Sequence, residues 1–150
     1  MTIEEQKKTD ISVDDLEAEA QAMCDKGYRL VQIGCGKYGD IFEINYSFEK
    51  DYSFENLRIS VSEGEKVPSI SKSYWGSFIY ENEMHDLFGI EVTGMNLDFK
   101  GNLIKTSIKS PFNVKNVTKV KSEKSVEAKD AQKNENDESA GDKEKNEEVN

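Results

Sequence analysis

Residues 69–94 read SISKSYWGSFIYENEMHDLFGIEVTG, and the fold turns on how this stretch is taken. Tyr74, Phe78, Met84, Leu87 and Phe88 recur at three- and four-residue spacings, with Tyr80 widening the stripe. That period predicts a helix buried on more than one side. Gly89 follows the last bulky pair, where a left-handed residue ends a helix, and Ile90 is placed to pack back onto the final turn. Against the stripe sits a tight polar group, Glu81, Glu83, His85 and Asp86. Such groups serve as acid and base, as metal ligands or as docking groups, although on a helix they usually form a solvated face or an interface.

Upstream of this helix the period changes to two. Leu57, Ile59 and Val61 alternate with Arg58, Ser60 and Ser62; Phe42, Ile44, Tyr46 and Phe48 alternate with Glu43, Asn45 and Ser47; Arg29, Val31, Ile33 and Cys35 alternate with Leu30 and Gln32. Clean alternation indicates a three-stranded antiparallel sheet with one wet face, because a parallel sheet covered on both faces reads as continuous apolar runs. The connections at 34–40 and 49–53 are short enough for hairpins. Gly34-Cys35-Gly36-Lys37-Tyr38-Gly39 spells G-x-G-x-x-G, but a dinucleotide site needs a helix to open at the third glycine, and 41–48 reads as strand. A glycine-rich turn is the expected outcome, with Lys37 free to meet an anion.

Before the strands, Ser12 is placed to cap a helix with Asp15 at its third position, Ile11 stapling to Leu16, and Val13, Leu16, Ala20 and Met23 on one face. Gly27 ends it. Residues 1–10 carry no pattern and are expected to be a flexible N-terminus. Beyond the central helix, Ile90, Val92 and Gly94 suggest a short strand or extended exit, and apolar residues follow loosely to Pro111 and Phe112. From about 113 to 150 the composition shifts to Lys, Glu, Asp, Asn, Ser and Ala, a charged tail expected to be disordered because it has too little apolar surface to offset ordering entropy. The organisation is therefore an α+β domain over 11–112: N-terminal helix, three-stranded antiparallel sheet, central helix, then a disordered acidic C-terminal tail.

The formal net charge of −10 disfavours nucleic acid and anionic lipid as partners, and favours protein. No run approaches a membrane span, and the start, MTIEEQKKTD, lacks the basic and apolar segments of a signal peptide, so a cytoplasmic location is expected. Cys24 and Cys35 form no C-x-x-C pair, and with the lone His85 they are too few for zinc or an iron–sulfur cluster. Reduced, structural thiols are expected.

The combination E-x-E-x-x-D-L-F-G-I, standing here as Glu81, Glu83, Asp86, Leu87, Phe88, Gly89 and Ile90, resembles the signature of the NADH dehydrogenase 30 kDa subunit family. Val67-Pro68-Ser69-Ile70 and Tyr74-Trp75 are similar to the family's approach segment. The resemblance covers roughly Ile11 to Phe112 and is strongest to the matching small subunit of energy-converting (Ech-type) membrane-bound NiFe hydrogenases. It implies a polypeptide with no catalytic group and no cofactor or metal of its own, whose partners hold a NiFe centre and iron–sulfur clusters. It further implies packing against the large subunit, near an iron–sulfur subunit and indirectly the membrane subunits, on the inner face of the cell membrane. The seven motif residues are then docking and fold-defining. Asn82 departs from the family's usual arginine, which weakens full equivalence; Gly94-Met95-Asn96 replaces the usual G-H-P, and the basic, proline-containing segment that follows in respiratory complex I is not recognisable, an abbreviated end that resembles the hydrogenase branch more.

The corresponding NADH dehydrogenase subunit of respiratory complex I and a stand-alone protein-binding module with an acidic tail are the alternatives. A hydrolase using Glu81, Glu83 and His85 is disfavoured, because only Glu81 and His85, four apart, share a helix face, and a metal held by that pair alone lacks ligands. His85 reads otherwise as a hydrogen-bonded boundary residue and Trp75 as packing.

Overall fold

The computed structural model describes residues 6–113. The chain runs β1 (Lys7–Asp10), α1 (Leu16–Asp25), β2 (Arg29–Tyr38), β3 (Ile41–Lys50), β4 (Ser53–Ser62), β5 (Lys66–Pro68), α2 (Ser77–Phe88), β6 (Glu91–Thr93) and a single 3-10 turn at Pro111–Asn113. The expected disordered tail, 113–150, lies outside the described residues except for Asn113, which closes the 3-10 turn.

The alternating segments form the antiparallel meander β2–β3–β4. Phe42, Ile44, Tyr46 and Phe48 face Leu57, Ile59 and Val61 on one side, and all are buried. Leu16, Ala20 and Met23 of α1 close over that side as one core. The other side carries Glu43, Asn45, Ser47, Asn56, Arg58 and Ser60, so one face remains polar, as period-two patterning requires.

The sheet is four-stranded and mixed, in the order β1-β4-β3-β2, rather than three-stranded and antiparallel. Lys7–Asp10, within the stretch expected to be flexible, pairs in parallel with Glu55–Arg58. No apolar alternation announces β1, because all four residues are exposed and backbone bonding to the edge of β4 is what orders them. Arg58 reinforces the edge, its Nε 3.1 Å from Asp10 Oδ1 and its Nη1 3.3 Å from Glu43 Oε2.

The N-terminal helix also starts later than expected. Ser12 and Asp15 do form reciprocal bonds, Asp15 N–H donating to Ser12 Oγ (3.2 Å) and Ser12 Oγ donating to Asp15 Oδ2 (2.7 Å), but they close a turn, and α1 proper begins at Leu16. Its end is as read: Gly27, at φ +83°, lets Tyr28 N–H reach Met23 O (3.0 Å) and its own N–H reach Cys24 O (2.9 Å).

The first hairpin is tighter than the glycine spacing suggests. Gly34 and Gly36 lie within β2 opposite Asn45 and Glu43, and only Gly39 turns the chain. Lys37 is occupied by Asn113 Oδ1 and lies over the Phe42 ring. At the second hairpin Asp51 and Tyr52 both adopt positive φ, giving a two-residue turn that matches strand twist. β5 and β6 pair in parallel as a separate two-stranded ribbon, Val67 opposite Val92, and bracket α2 at both its ends.

Candidate functional site

Helix α2 packs Met84, Tyr80 and Phe88 against the core as its hydrophobic spacing predicts, but its other fully buried side chains are polar: Ser77, Glu81, Asn82 and Asp86, while Ile79 is half exposed. Tyr74 and Trp75 precede the helix in a turn rather than lying on it. The polar group expected on a solvated face is split: Glu81 and Asp86 point inward, Glu83 points outward, and His85 lies at the boundary.

Glu81 is 1% exposed and is held on three sides. Ser69 Oγ donates to its Oε2 (2.6 Å), while Ile70 N–H (2.9 Å) and Ser77 Oγ (3.1 Å) donate to its Oε1. Burying a carboxylate is expensive unless its lone pairs are met, and these donors are what make the position tenable. Burial still dominates and raises the pKa of Glu81 above its ordinary value, with the three hydrogen bonds pulling the other way. The network continues outward: Ser69 Oγ lies 2.7 Å from Ser71 Oγ, which accepts Asn96 N–H at 3.0 Å, while Asn96 Nδ2 donates to Ser71 O at 2.8 Å. Glu81 thus ties the helix to the strand exit at 69–71, and through Ser71 to the segment after β6.

Asn82 performs a second tie. Fully buried, it donates from Nδ2 to Phe78 O (2.7 Å) and Leu97 O (2.9 Å) and accepts Phe99 N–H at Oδ1 (2.8 Å). Both atoms of its amide are used, and residues 97–99 are laid along α2. Asp86 makes the third tie, its Oδ2 accepting Ile104 N–H at 2.8 Å and its Oδ1 lying 3.1 Å from His85 Nδ1. His85 in turn lines an open cleft of about 500 Å³ with Gly101, Lys105 and Lys109.

The end of the helix is closed by Gly89, at φ +76°, whose N–H donates to His85 O. A side chain there would also meet Ser110 Oγ at 2.8 Å, so the position excludes a Cβ twice over. Phe88 wedges edge-on between Phe42 (6.3 Å) and Phe112 (5.3 Å), Ile90 is buried, and Leu87 is partly covered.

Chemically the arrangement is a set of anchors. Glu81 and His85 do not converge: the first is bonded to serines and a backbone N–H, the second to Asp86. Among the described residues no cluster of three or more His, Cys, Asp or Glu could hold a metal, and no helix is long and apolar enough to cross a membrane. Sequence reasoning missed Ser69, Ser71, Ser77 and Asn96, and took Asn82 only as a lost cation. The available signal was the i, i+4 spacing of Ser77 and Glu81, with two serines two residues apart just after Pro68.

Beside the Asn82 anchor lies an aromatic strip. Trp75 stacks edge-on to Phe78 at 4.8 Å, and Phe78 faces Phe99 at 6.4 Å. Trp75 is 61% exposed, and Ile79 and Leu97 are exposed as well.

Comparison with known proteins bears on this geometry. The model of the family described as respiratory-chain NADH dehydrogenase, 30 Kd subunit, matches residues 9–113. No curated protein matches the sequence. Among solved structures, the fold is similar to a chain of the membrane-bound sulfane sulfur reductase, an archaeal respiratory membrane complex: TM-score 0.61, 13% identity, covering 73% of this chain and 70% of that one.

Proposed function

This chain belongs to the family of the 30 Kd subunit of respiratory-chain NADH dehydrogenase, and from that premise we propose that it is a peripheral, cofactor-free scaffold subunit of a membrane-bound, complex I-related oxidoreductase. Its role is to pack against a catalytic large subunit. The observation that carries this reading is the use made of the motif: Glu81 and Asp86 are engaged inside the fold by serine hydroxyls and backbone N–H groups, so they build a shape. The exposed aromatic strip beside them is the kind of surface a partner covers.

Within the family, the reading we favour is the energy-converting NiFe hydrogenase, in which partner subunits carry the NiFe centre and iron–sulfur clusters and couple ferredoxin oxidation and hydrogen evolution to ion translocation. The support is the exit from α2. Where the resemblance leads one to expect a G-H-P turn and a basic, proline-containing extension, Asn96 folds back onto Ser71 and residues 97–99 are clamped by Asn82. The 30 Kd subunit of respiratory complex I itself is the second reading, favoured by the family match. In either case the chain sits on the cytoplasmic face of the membrane through its partners.

Affinity purification of the tagged chain from detergent-solubilised membranes of its host distinguishes these. Recovery of a large subunit, an iron–sulfur subunit and antiporter-like membrane subunits with hydrogen-dependent dye reduction supports the hydrogenase reading. Flavin-containing, NADH-oxidising subunits would move the chain to complex I, and recovery of the chain alone would end the subunit reading.

A further inference from the structure

The polar face of the sheet and the strip along α2, two of the exposed faces of the described fold, differ in their chemistry. The polar face of the sheet is paired within itself at most positions: Arg58 sits between Asp10 and Glu43, and Ser47 Oγ donates to Asn56 Oδ1 at 2.6 Å, although the buried Asn56 Nδ2 finds no acceptor. Groups paired in this way gain little by exchanging partners. The strip along α2 is different. Trp75, Ile79, Leu97 and Phe99 are 61%, 49%, 40% and 37% exposed, and Phe78 joins the two aromatic ends. A tryptophan in the turn before a helix, packed edge-on against a phenylalanine of the helix's first turn, is the kind of aromatic pair that anchors interface centres.

The strip also has a charged end. Glu83 lies four residues beyond Ile79, on the same helix face, and is exposed. Unlike Glu81 and Asp86, it has no hydrogen-bond or ion-pair partner among the described residues. Asn82, one position before it, turns inward and fixes Phe99 beside Phe78 through the bonds to Leu97 O and Phe99 N–H. One side chain therefore builds the strip while the next supplies its rim.

We infer that the strip from Trp75 to Phe99, rimmed by Glu83, is the docking surface for one other polypeptide of the complex, which meets it with an apolar recess bordered by a lysine or arginine. The inference rests on the subunit reading above and specifies the face used. An apolar centre explains the exposed rings, and the unpaired carboxylate at its edge selects a cation on the partner. The sheet face stays in water or in peripheral contact.

The test uses the full-length chain in its native host. A photo-crosslinking p-benzoylphenylalanine replaces Ile79 in one variant and Ser60, on the sheet face, in another, and the tagged chain is captured from solubilised membranes after irradiation. The expected result is an adduct from position 79 to a single different subunit, mapped to a peptide containing apolar residues and a lysine or arginine, with little from position 60. Glu83→Lys should lower recovery of that subunit on the order of tenfold while Glu83→Gln lowers it less, with thermal unfolding of both variants unchanged. Adducts from 60 but not 79, adducts from 79 to a second copy of this chain, or equal recovery with Glu83→Lys would overturn the inference. A wild-type chain that captures no other subunit would instead overturn the subunit reading itself.

Discussion

At the scale of single residues, the most informative group is Glu81, a carboxyl in a position where only its hydrogen bonds make it tolerable. Because burial raises its pKa in the folded state, the folded chain holds a proton that the unfolded chain releases over the interval above 4.5, the ordinary glutamate value. Stability contributed by the protonated form is complete below that value and falls as pH rises through the folded-state pKa. Glu81→Gln mimics the protonated form and retains an acceptor for Ile70 and Ser77. Denaturant melts across the pH range should therefore show the wild type losing stability relative to Glu81→Gln as pH rises above 4.5, with no further divergence once the folded-state value is passed. Glu81→Ala, which leaves Ile70 N–H and the Ser77 hydroxyl without their acceptor, should lose about 3 kcal/mol below pH 4.5 and less as pH rises through the folded-state value. The same environment governs Cys35, whose thiol is pushed up to about 12 by burial. Its alkylation by iodoacetamide at about pH 8 should be slower in the folded protein than in urea by a factor of at least about a hundred.

At the scale of elements, α2 is held by three side-chain ties and a glycine stop, and each can be cut separately. Gly89→Ala forces a left-handed alanine against Ser110 Oγ, 2.8 Å from where its Cβ would stand. It should cost about 2 kcal/mol from backbone strain and contact together. Ser110 is itself at φ +47°, so Ser110→Gly should recover part of that loss in the double variant, read as a non-additive cycle in urea melts. Asn82→Ala removes the bonds to Leu97 O and Phe99 N–H and should raise hydrogen exchange across 97–104 well before global unfolding. These ties also show how far the sequence could be read. Strands with one apolar side, the end of α1 at Gly27 and the stop at Gly89 were legible because alternation and glycine conformation are local signals. Strand β1 was not, since a parallel edge pairing of four exposed residues leaves no periodic trace. The apolar stripe of α2 packs on the core as its spacing implies, but that spacing does not reveal a second buried face, where the neighbours are serines and backbone amides. They make Glu81, Asn82 and Asp86 inward residues too. The motif's residues were found by resemblance, and their division into inward and outward groups required the geometry.

At the scale of the whole molecule, the described domain is an α+β unit of the respiratory-chain 30 Kd subunit family with no catalytic convergence among its motif residues. A buried polar hub ties the helix down, and an exposed aromatic strip runs beside it. On the proposed reading, a chain built this way works as part of a larger membrane particle. The most direct measurement of that is native gel electrophoresis of gently solubilised host membranes, with the untagged chain detected by antibody. The chain is expected to migrate in a single multi-subunit particle, to pellet with the membrane fraction before solubilisation, and to be depleted from the soluble fraction. Detection only in the soluble fraction, at the size of the lone chain, would contradict it.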